Sequence, residues 1–339
     1  MIAITPKKLE AVFRCEVGPG HGYGHFVRCA AVAEELIKLG WLCRFAMSEV
    51  SASQKIVRCS GFDVDVLQDH ELKSAKALSR RVAKTGPVEW VIVDHYGLDE
   101  DYERALRSSA LHVGCFEDLE SRRHAVDLMI GMTPDSKVDG TQYLEGTAYV
   151  ALRRGFLDQR ALNQNRHEDT PRIVIGFGAI DGCALSLRTL PVVLETFPDA
   201  MVDILIGEAS PSREQLIQET EGCPRTALHV DHAAPESILS GALFAIGAGG
   251  VSALERCALG VPSVIAVVSQ NQWRNVWEIV DYGAAISVEA DDGYEAYLAS
   301  ALNQLTDSDL RLRMAERASS YCDGKGAARI ADAMIKFVT

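Results

Sequence analysis

Along the first half of the chain the apolar positions switch repeatedly between two periods. AVFRCEV, residues 11–17, is apolar and β-branched enough for a buried strand. FVRCAAVAEELIKLG after it carries apolar residues at helical spacing, predicting a helix over 24–39. Strands are expected next at 41–47 and, in VEWVIVDHY, at 88–96. A helix over DEDYERALRSS, a short strand LHVGCF and a further apolar run, VDLMIGM, near 126–132 follow. Strand and helix in alternation are the rhythm of a parallel sheet with crossover helices.

LDQRALNQNRHEDTP, residues 157–171, is polar, ends in Pro and follows neither period, which makes it the candidate linker. The pattern then restarts. PRIVIGFG reads as a strand, CALSLRTLPVVLETF as a helix, MVDILIG as a strand, and ALFAIGAGG as a strand running into the helix VSALERCALG. PSVIAVV is a continuous buried strand, and NQWRNVWEIVDYG a helix whose terminal Gly suits a C-cap. The last forty or so residues read as helical, with breaks near Asp307 and Asp323. The expectation is an α/β chain of two βα domains, 1–158 and 171–339, with the last helix packing back on the first domain. Two such domains imply a cleft where the carboxyl ends of both sheets face each other.

Composition narrows the partners. A net charge of −13 argues against nucleic acid and anionic lipid, and no Lys/Arg cluster stands out against it. No apolar run reaches the ~18 residues of a membrane span, and the start MIAITPKKLE has no secretory leader pattern, so the expected location is the cytoplasm. The nine cysteines are scattered without a CxxC pair and read as reduced core thiols.

Four stretches fall at strand ends where chemistry could sit. The first, GPGHGYGHFVRC at 18–29, puts glycines at a strand-to-helix turn, where backbone can approach a ligand and helix amides face an anion. His25 in its first helical turn either caps and packs, or, kept neutral by the helix dipole, takes a proton from water. His21 lacks that placement. The second is DHYG, Asp94 to Gly97, with a carboxylate, an imidazole (His95) and a phenol (Tyr96), able to bind a sugar or to form an ordinary strand-end turn with a buried Asp. The third is GFGAIDG, residues 176–182, and the fourth GAGGVSALERC, residues 247–257, followed by SQNQ. Neither Gly-rich loop is a P-loop or a GxGxxG fingerprint. In the fourth, Gly249 and Gly250 expose amides at a helix start, Ser252 can cap the helix or touch a phosphate, and Glu255 can accept from ribose hydroxyls; an ordinary Gly-rich turn with a solvated Glu fits equally well. The spread of the histidines speaks against a metal site.

Taken in order, GYGHFVRC, VIVDHYG, FEDLESRRHAVDL, GTAYVALRRGF, GFGAIDG and GAGGVSALERCALGVPS resemble the UDP-2,4-diacetamido-2,4,6-trideoxy-β-L-altropyranose hydrolases of pseudaminic acid biosynthesis and the similar spore-coat polysaccharide proteins. The resemblance runs from about residue 11 to about 285. It implies a GT-B architecture and metal- and cofactor-independent hydrolysis of a UDP-activated amino or deoxy sugar at its anomeric C–O bond, with inversion. The family's G-x-G-H-x-x-R motif falls on Gly22, Gly24, His25 and Arg28, which makes His25 the expected catalytic residue and Gly22, Gly24 and Arg28 expected substrate contacts on the sugar side. Its sugar-side D-H-Y-G falls on Asp94, His95, Tyr96 and Gly97, its Asn-Gln pair on Asn271 and Gln272, and its nucleotide-binding Glu on Glu255, with Gly178, Gly249, Gly250 and Ser252 as further nucleotide contacts. The chain departs from the family pattern at Glu16, Val17 and Gly18, at Ala179 and Ile180, at Ala184 and at Leu254, so the sugar is expected to differ more than the nucleotide. A glycosyltransferase on the same architecture, or a nucleotide-sugar binder without turnover, are the alternatives.

Overall fold

The computed structural model describes residues 8–18, 21–82, 86–118, 122–131, 137–163, 171–268 and 272–338. The chain divides into two units, one formed by 1–153 with 325–339 and the other by 154–324.

In the first unit β1 (Glu10–Cys15) leads into α1 (Gly24–Lys38), β2 (Leu42–Ser48) and two single turns of helix, α2 (Glu49–Ala52) and α3 (Lys55–Arg58). Then come β3 (Asp63–Leu67), α4 (Ala75–Val82), β4 (Val88–Asp94), α5 (Glu100–Leu106), β5 (Ala110–Glu117), β6 (Leu128–Gly131) and β7 (Gln142–Glu145). The seven strands are parallel in the order β3-β2-β1-β4-β5-β6-β7. Strands covered on both faces can be apolar at every position, and β4 is buried throughout. Alternation still sorts its neighbour: Ala11, Phe13 and Cys15 join the core under α1, while Val12 joins the core on the opposite face with Leu78 and Leu106.

The second unit opens with α6 (Arg154–Asn163), β8 (Arg172–Gly176), α7 (Leu185–Thr196), β9 (Met201–Ile206), α8 (Arg213–Glu221), β10 (Thr226–Val230) and α9 (Pro235–Leu239). It continues through β11 (Phe244–Ala248), α10 (Val251–Leu259), β12 (Ser263–Val267), α11 (Trp273–Asp281), β13 (Ala285–Glu289), α12 (Tyr294–Gln304) and α13 (Ser308–Tyr321). Its parallel sheet runs β10-β9-β8-β11-β12-β13, the 3-2-1-4-5-6 order of a Rossmann fold, which the first six strands of the other sheet also follow. The last helix, α14 (Gly326–Lys336), belongs to the first unit: Ile330, Ala331 and Met334 are buried beside α1, and the Trp90 indole donates to the Met334 carbonyl at 3.1 Å.

One expectation fails in an informative way. Part of the stretch expected as a linker, 157–163, is helical as α6, and 164–170 lie outside the described residues. Phe156 is fully buried with Leu259 and Val261, and the Arg160 guanidinium donates to the carbonyls of Ala258, Ser319 and Cys322 at 2.7–2.9 Å. These carbonyls end α10 and α13, so a polar residue that blurs the sequence period serves as a shared helix C-cap. All nine cysteines are free thiols, five of them buried. Among the described residues no helix is long and apolar enough to cross a membrane.

Candidate active site

In the first sheet the strand order reverses between β1 and β4, and the loops leaving their carboxyl ends diverge to open a crevice. Register places Cys15 opposite Asp94 at that edge. α1 starts at Gly24, which puts His25 in its first turn and Arg28 one turn on, both toward Asp94. His25 is 6% exposed, and its Nδ1 lies 2.6 Å from Asp94 Oδ1. Arg28 donates from Nε to Asp94 Oδ2 and from Nη2 to Oδ1, each at 2.6 Å, and from Nη1 to Asp118 Oδ1 at 2.8 Å. The guanidinium lies 4.8 Å from the centre of the Phe116 ring.

Burial alone would push the Asp94 carboxyl up, but the charge and hydrogen bonds of Arg28, with the bond to His25, hold it at about 2. Asp94 is therefore acceptor-only at neutral pH, so the proton it shares with His25 sits on Nδ1. That leaves the Nε2 lone pair of His25 available, and among the described residues no partner takes it. The Tyr96 ring meets the imidazole edge-on at 4.8 Å, and its hydroxyl donates to Asp118 Oδ2 at 3.0 Å. Asp94 and Arg28, expected beside a sugar, thus spend their polar atoms on each other, on His25 and on Asp118.

The rest of the loop is shaped by backbone. Gly18 and Gly22 close on each other through two hydrogen bonds of 3.0 and 2.9 Å, with φ of +112° and +71°, conformations that favour glycine. Pro19 and Gly20 lie outside the described residues. His95 accepts from the Gly97 amide at Nδ1, and burial together with the charge of Arg14 pulls its pKa down to about 4. Glu16, one of the departures from the family pattern, is buried and accepts from Arg14 at 2.6 Å, from Ser48 and from Ser51, which makes it an internal anchor between β1 and α2.

Three residues that sequence reasoning did not single out support this loop. Asp118 completes the Arg28 pair. Arg122 Nη1 donates to the carbonyls of His95, Tyr96 and Leu98 at 2.8–3.1 Å, fastening the DHYG turn. His124 is buried with Nδ1 2.6 Å from Glu103 and Nε2 2.6 Å from Glu117. Burial opposes its charge, but hydrogen bonds with Cys115, Glu103 and Glu117 prevail and raise its pKa to about 12. Glu103, Cys115 and His124 bring one donor atom each within 4.8 Å of one another, a grouping able to hold a metal that the sequence spacing did not reveal; here both imidazole nitrogens are already engaged by carboxylates. The signal for Asp118, Arg122 and His124 was present only as FEDLESRRHAVDL, whose polar residues carry no period.

The second sheet reverses between β8 and β11, where Gly176 and Gly247 are in register. A Cβ on Gly247 would stand 2.2 Å from the Gly176 carbonyl, and one on Gly249 only 2.1 Å from Val276, so neither position tolerates a side chain. The Gly249 amide donates to Gln272 Oε1 at 3.2 Å, and Asn275 Nδ2 donates to the Gly249 carbonyl at 2.6 Å. Asn271 lies outside the described residues. Gly250 is the N-cap of α10 and offers no side-chain acceptor, so the amides of Val251 and Ser252 emerge at the helix start without an intrahelical partner. Glu255 is half-buried a turn further on. Gly178 has φ +93° and open space around it, while Asp181 is consumed as a cap, accepting from the amides of Leu185 and Ser186 at 2.9 Å.

Two parallel Rossmann-like sheets of this order define the protein as one of GT-B fold. No protein-family model matches the chain. It is 22% identical over 324 residues to the spore coat polysaccharide biosynthesis protein SpsG of Bacillus subtilis, covering 91% of this chain and 93% of the relative. It is also 22% identical over 270 residues to an uncharacterized protein of Methanocaldococcus jannaschii, covering 74% of this chain, which spans only about half (54%) of that relative's length. Over 177 residues, 49% of the chain and 48% of the relative, it is 30% identical to the UDP-N-acetylglucosamine–N-acetylmuramyl-(pentapeptide) pyrophosphoryl-undecaprenol N-acetylglucosamine transferase of Xylella fastidiosa. Among solved structures, Acinetobacter baumannii MurG superposes with a TM-score of 0.70 at 16% identity, over 97% of this chain and 100% of that one.

Proposed function

We propose that this protein transfers a glycosyl group from a UDP-activated sugar to an acceptor hydroxyl during glycan synthesis, with His25 as general base. The observation that carries the reading is the His25–Asp94 pair: a carboxylate kept ionised by Arg28 fixes the imidazole tautomer and leaves Nε2 as a base. His25 Nε2 takes the acceptor's proton, the acceptor oxygen bonds to the anomeric carbon, and the bond from that carbon to the phosphate oxygen breaks with its electron pair leaving on UDP. The amides opening α10 are suited to a diphosphate and to the charge it gains, and the Glu255 carboxylate to ribose hydroxyls. The names of the spore-coat and N-acetylglucosaminyltransferase relatives support a role in glycan synthesis and the choice of a transferase.

The order of motifs shared with the altropyranose hydrolases favours a second reading, in which water is the acceptor. Both are tested by incubating the protein with UDP-sugars and following UDP and free sugar. Transfer predicts that UDP release depends on added acceptor and that the sugar appears on it; rapid free-sugar release with no acceptor establishes hydrolysis instead. His25→Ala is expected to cut either turnover by ~10²–10⁴-fold while UDP affinity stays within a factor of about two. Equal turnover by the variant would overturn the assignment of the base. Trp273 and Trp277 stand exposed one turn apart on α11, so lipid-linked and soluble acceptors both belong in the assay.

A further inference from the structure

Arg256 lies on the inward side of α10 and is only 2% exposed. A long charged side chain is rarely buried without an opposite charge to meet it. The three acceptors around this guanidinium are all neutral. Nη2 donates to the Ala248 carbonyl at 2.9 Å, Nε to Ser263 Oγ at 3.0 Å, and Nη1 reaches Ser252 Oγ at 3.4 Å. Among the described residues no carboxylate pairs with it. Burial draws its pKa down to about 10, against the smaller attraction of Cys257 and Glu255, and it remains charged at neutral pH.

The place of this charge is as telling as its isolation. Ala248 and Ser252 flank the Gly249–Gly250 turn, so the guanidinium sits directly beneath that turn and bridges its two ends. The room is made by Gly247, where a Cβ would come within 2.8 Å of Arg256 Nη1. Above the turn open the amides of Val251 and Ser252, for which no partner is found among the described residues, at the end of α10 whose dipole favours an anion. A buried positive charge and a helix N-terminus therefore focus on one spot. Because Ser252 Oγ accepts from Arg256, its own proton is left to donate away from the interior.

We propose that Arg256 is the internal counter-charge of a phosphate anion bound at the Gly249–Gly250 turn, a positioning residue that sets diphosphate affinity from below and turns the Ser252 hydroxyl toward the ligand. The inference rests on the reading of this turn as the nucleotide diphosphate site. It makes Arg256 a determinant of selectivity for UDP over uridine that never touches the ligand.

The test is isothermal titration of the full chain with UDP and with uridine, at two salt concentrations, alongside thermal melts with and without UDP. Arg256→Met is expected to weaken UDP binding by about tenfold to a hundredfold, to flatten its salt dependence, and to leave uridine affinity unchanged. Without ligand, loss of the buried charge and loss of its bonds to Ala248, Ser252 and Ser263 act on the melt in opposite directions, so the deciding readout is the shift produced by UDP, which should shrink. Arg256→Lys, which keeps the charge, should hold UDP within about threefold. If Arg256→Met does not fold, Arg256→Gln, neutral but able to donate to Ala248, decides the matter. UDP binding by the neutral variants as tight as wild type would overturn the role of Arg256 alone. No UDP binding by wild type would overturn the nucleotide reading of the turn, and this inference with it.

Discussion

At Asp94 three side chains converge on two oxygens: His25 and Arg28 at 2.6 Å, and the Cys29 thiol at 3.5 Å. Asp94→Asn removes the charge that fixes the His25 tautomer and leaves a buried guanidinium with only Asp118. We expect kcat to fall ~10²–10⁴-fold with little change in the donor's KM, and stability to drop by about 3–5 kcal/mol, read by turnover and by chemical denaturation. His124 presents the opposite situation, a cation held between two carboxylates. Its ring signals in NMR should not titrate between pH 6 and 10, and a midpoint near 6.5 would contradict the arrangement. At this scale the sequence showed which residue stood at a helix start, because the glycines before it and the apolar period after it bracket His25. It could not show Asp94 as its partner, since the two stand 69 positions apart and meet only because β4 pairs with β1. Nor could it show Arg256, because a helical period does not say which polar residue turns inward.

Elements with a long, uninterrupted period were legible almost to the residue: α1, expected over 24–39, spans Gly24–Lys38, and the breaks near Asp307 and Asp323 fall between α12, α13 and α14. Short ones were not. α2 and α3 are four residues each, less than any period can declare, and β3 alternates charge with valine on a half-exposed edge. α6 was hidden for another reason, since Arg160 faces helix ends instead of solvent. Arg160→Met should therefore destabilise the second unit by about 2–4 kcal/mol, far more than a solvated arginine would, as measured by denaturant melts. A change within ±0.5 kcal/mol would mean that water caps α10 and α13 as well as Arg160 does.

For the molecule as a whole, the buried titrating groups set a pH profile with a definite sign. His95, depressed to about 4, contributes stability above its unfolded pKa near 6.5 that is lost as pH falls toward 4. Asp94, depressed to about 2, adds a loss only below about 4. His124, raised to about 12, contributes fully below 6.5 and loses that contribution progressively as pH climbs from 6.5 toward 12. Melting temperatures should therefore peak near pH 6.5–7 and decline on both sides, on the alkaline side because His124 stays protonated only in the folded state; a profile flat from about pH 7 to 10 would refute this balance. The two-unit α/β plan was legible because its strand–helix rhythm stops and starts again, and each half repeats one strand order. The return of α14 to the first unit has a consequence in time. A ribosome delivers β1 through β7 long before it delivers Ile330 and Met334, so the half of the protein that is made first is the half that is finished last. Until those residues emerge, the part of α1 that α14 covers stays exposed, and a nascent chain halted short of them would be the form that chaperones recognise.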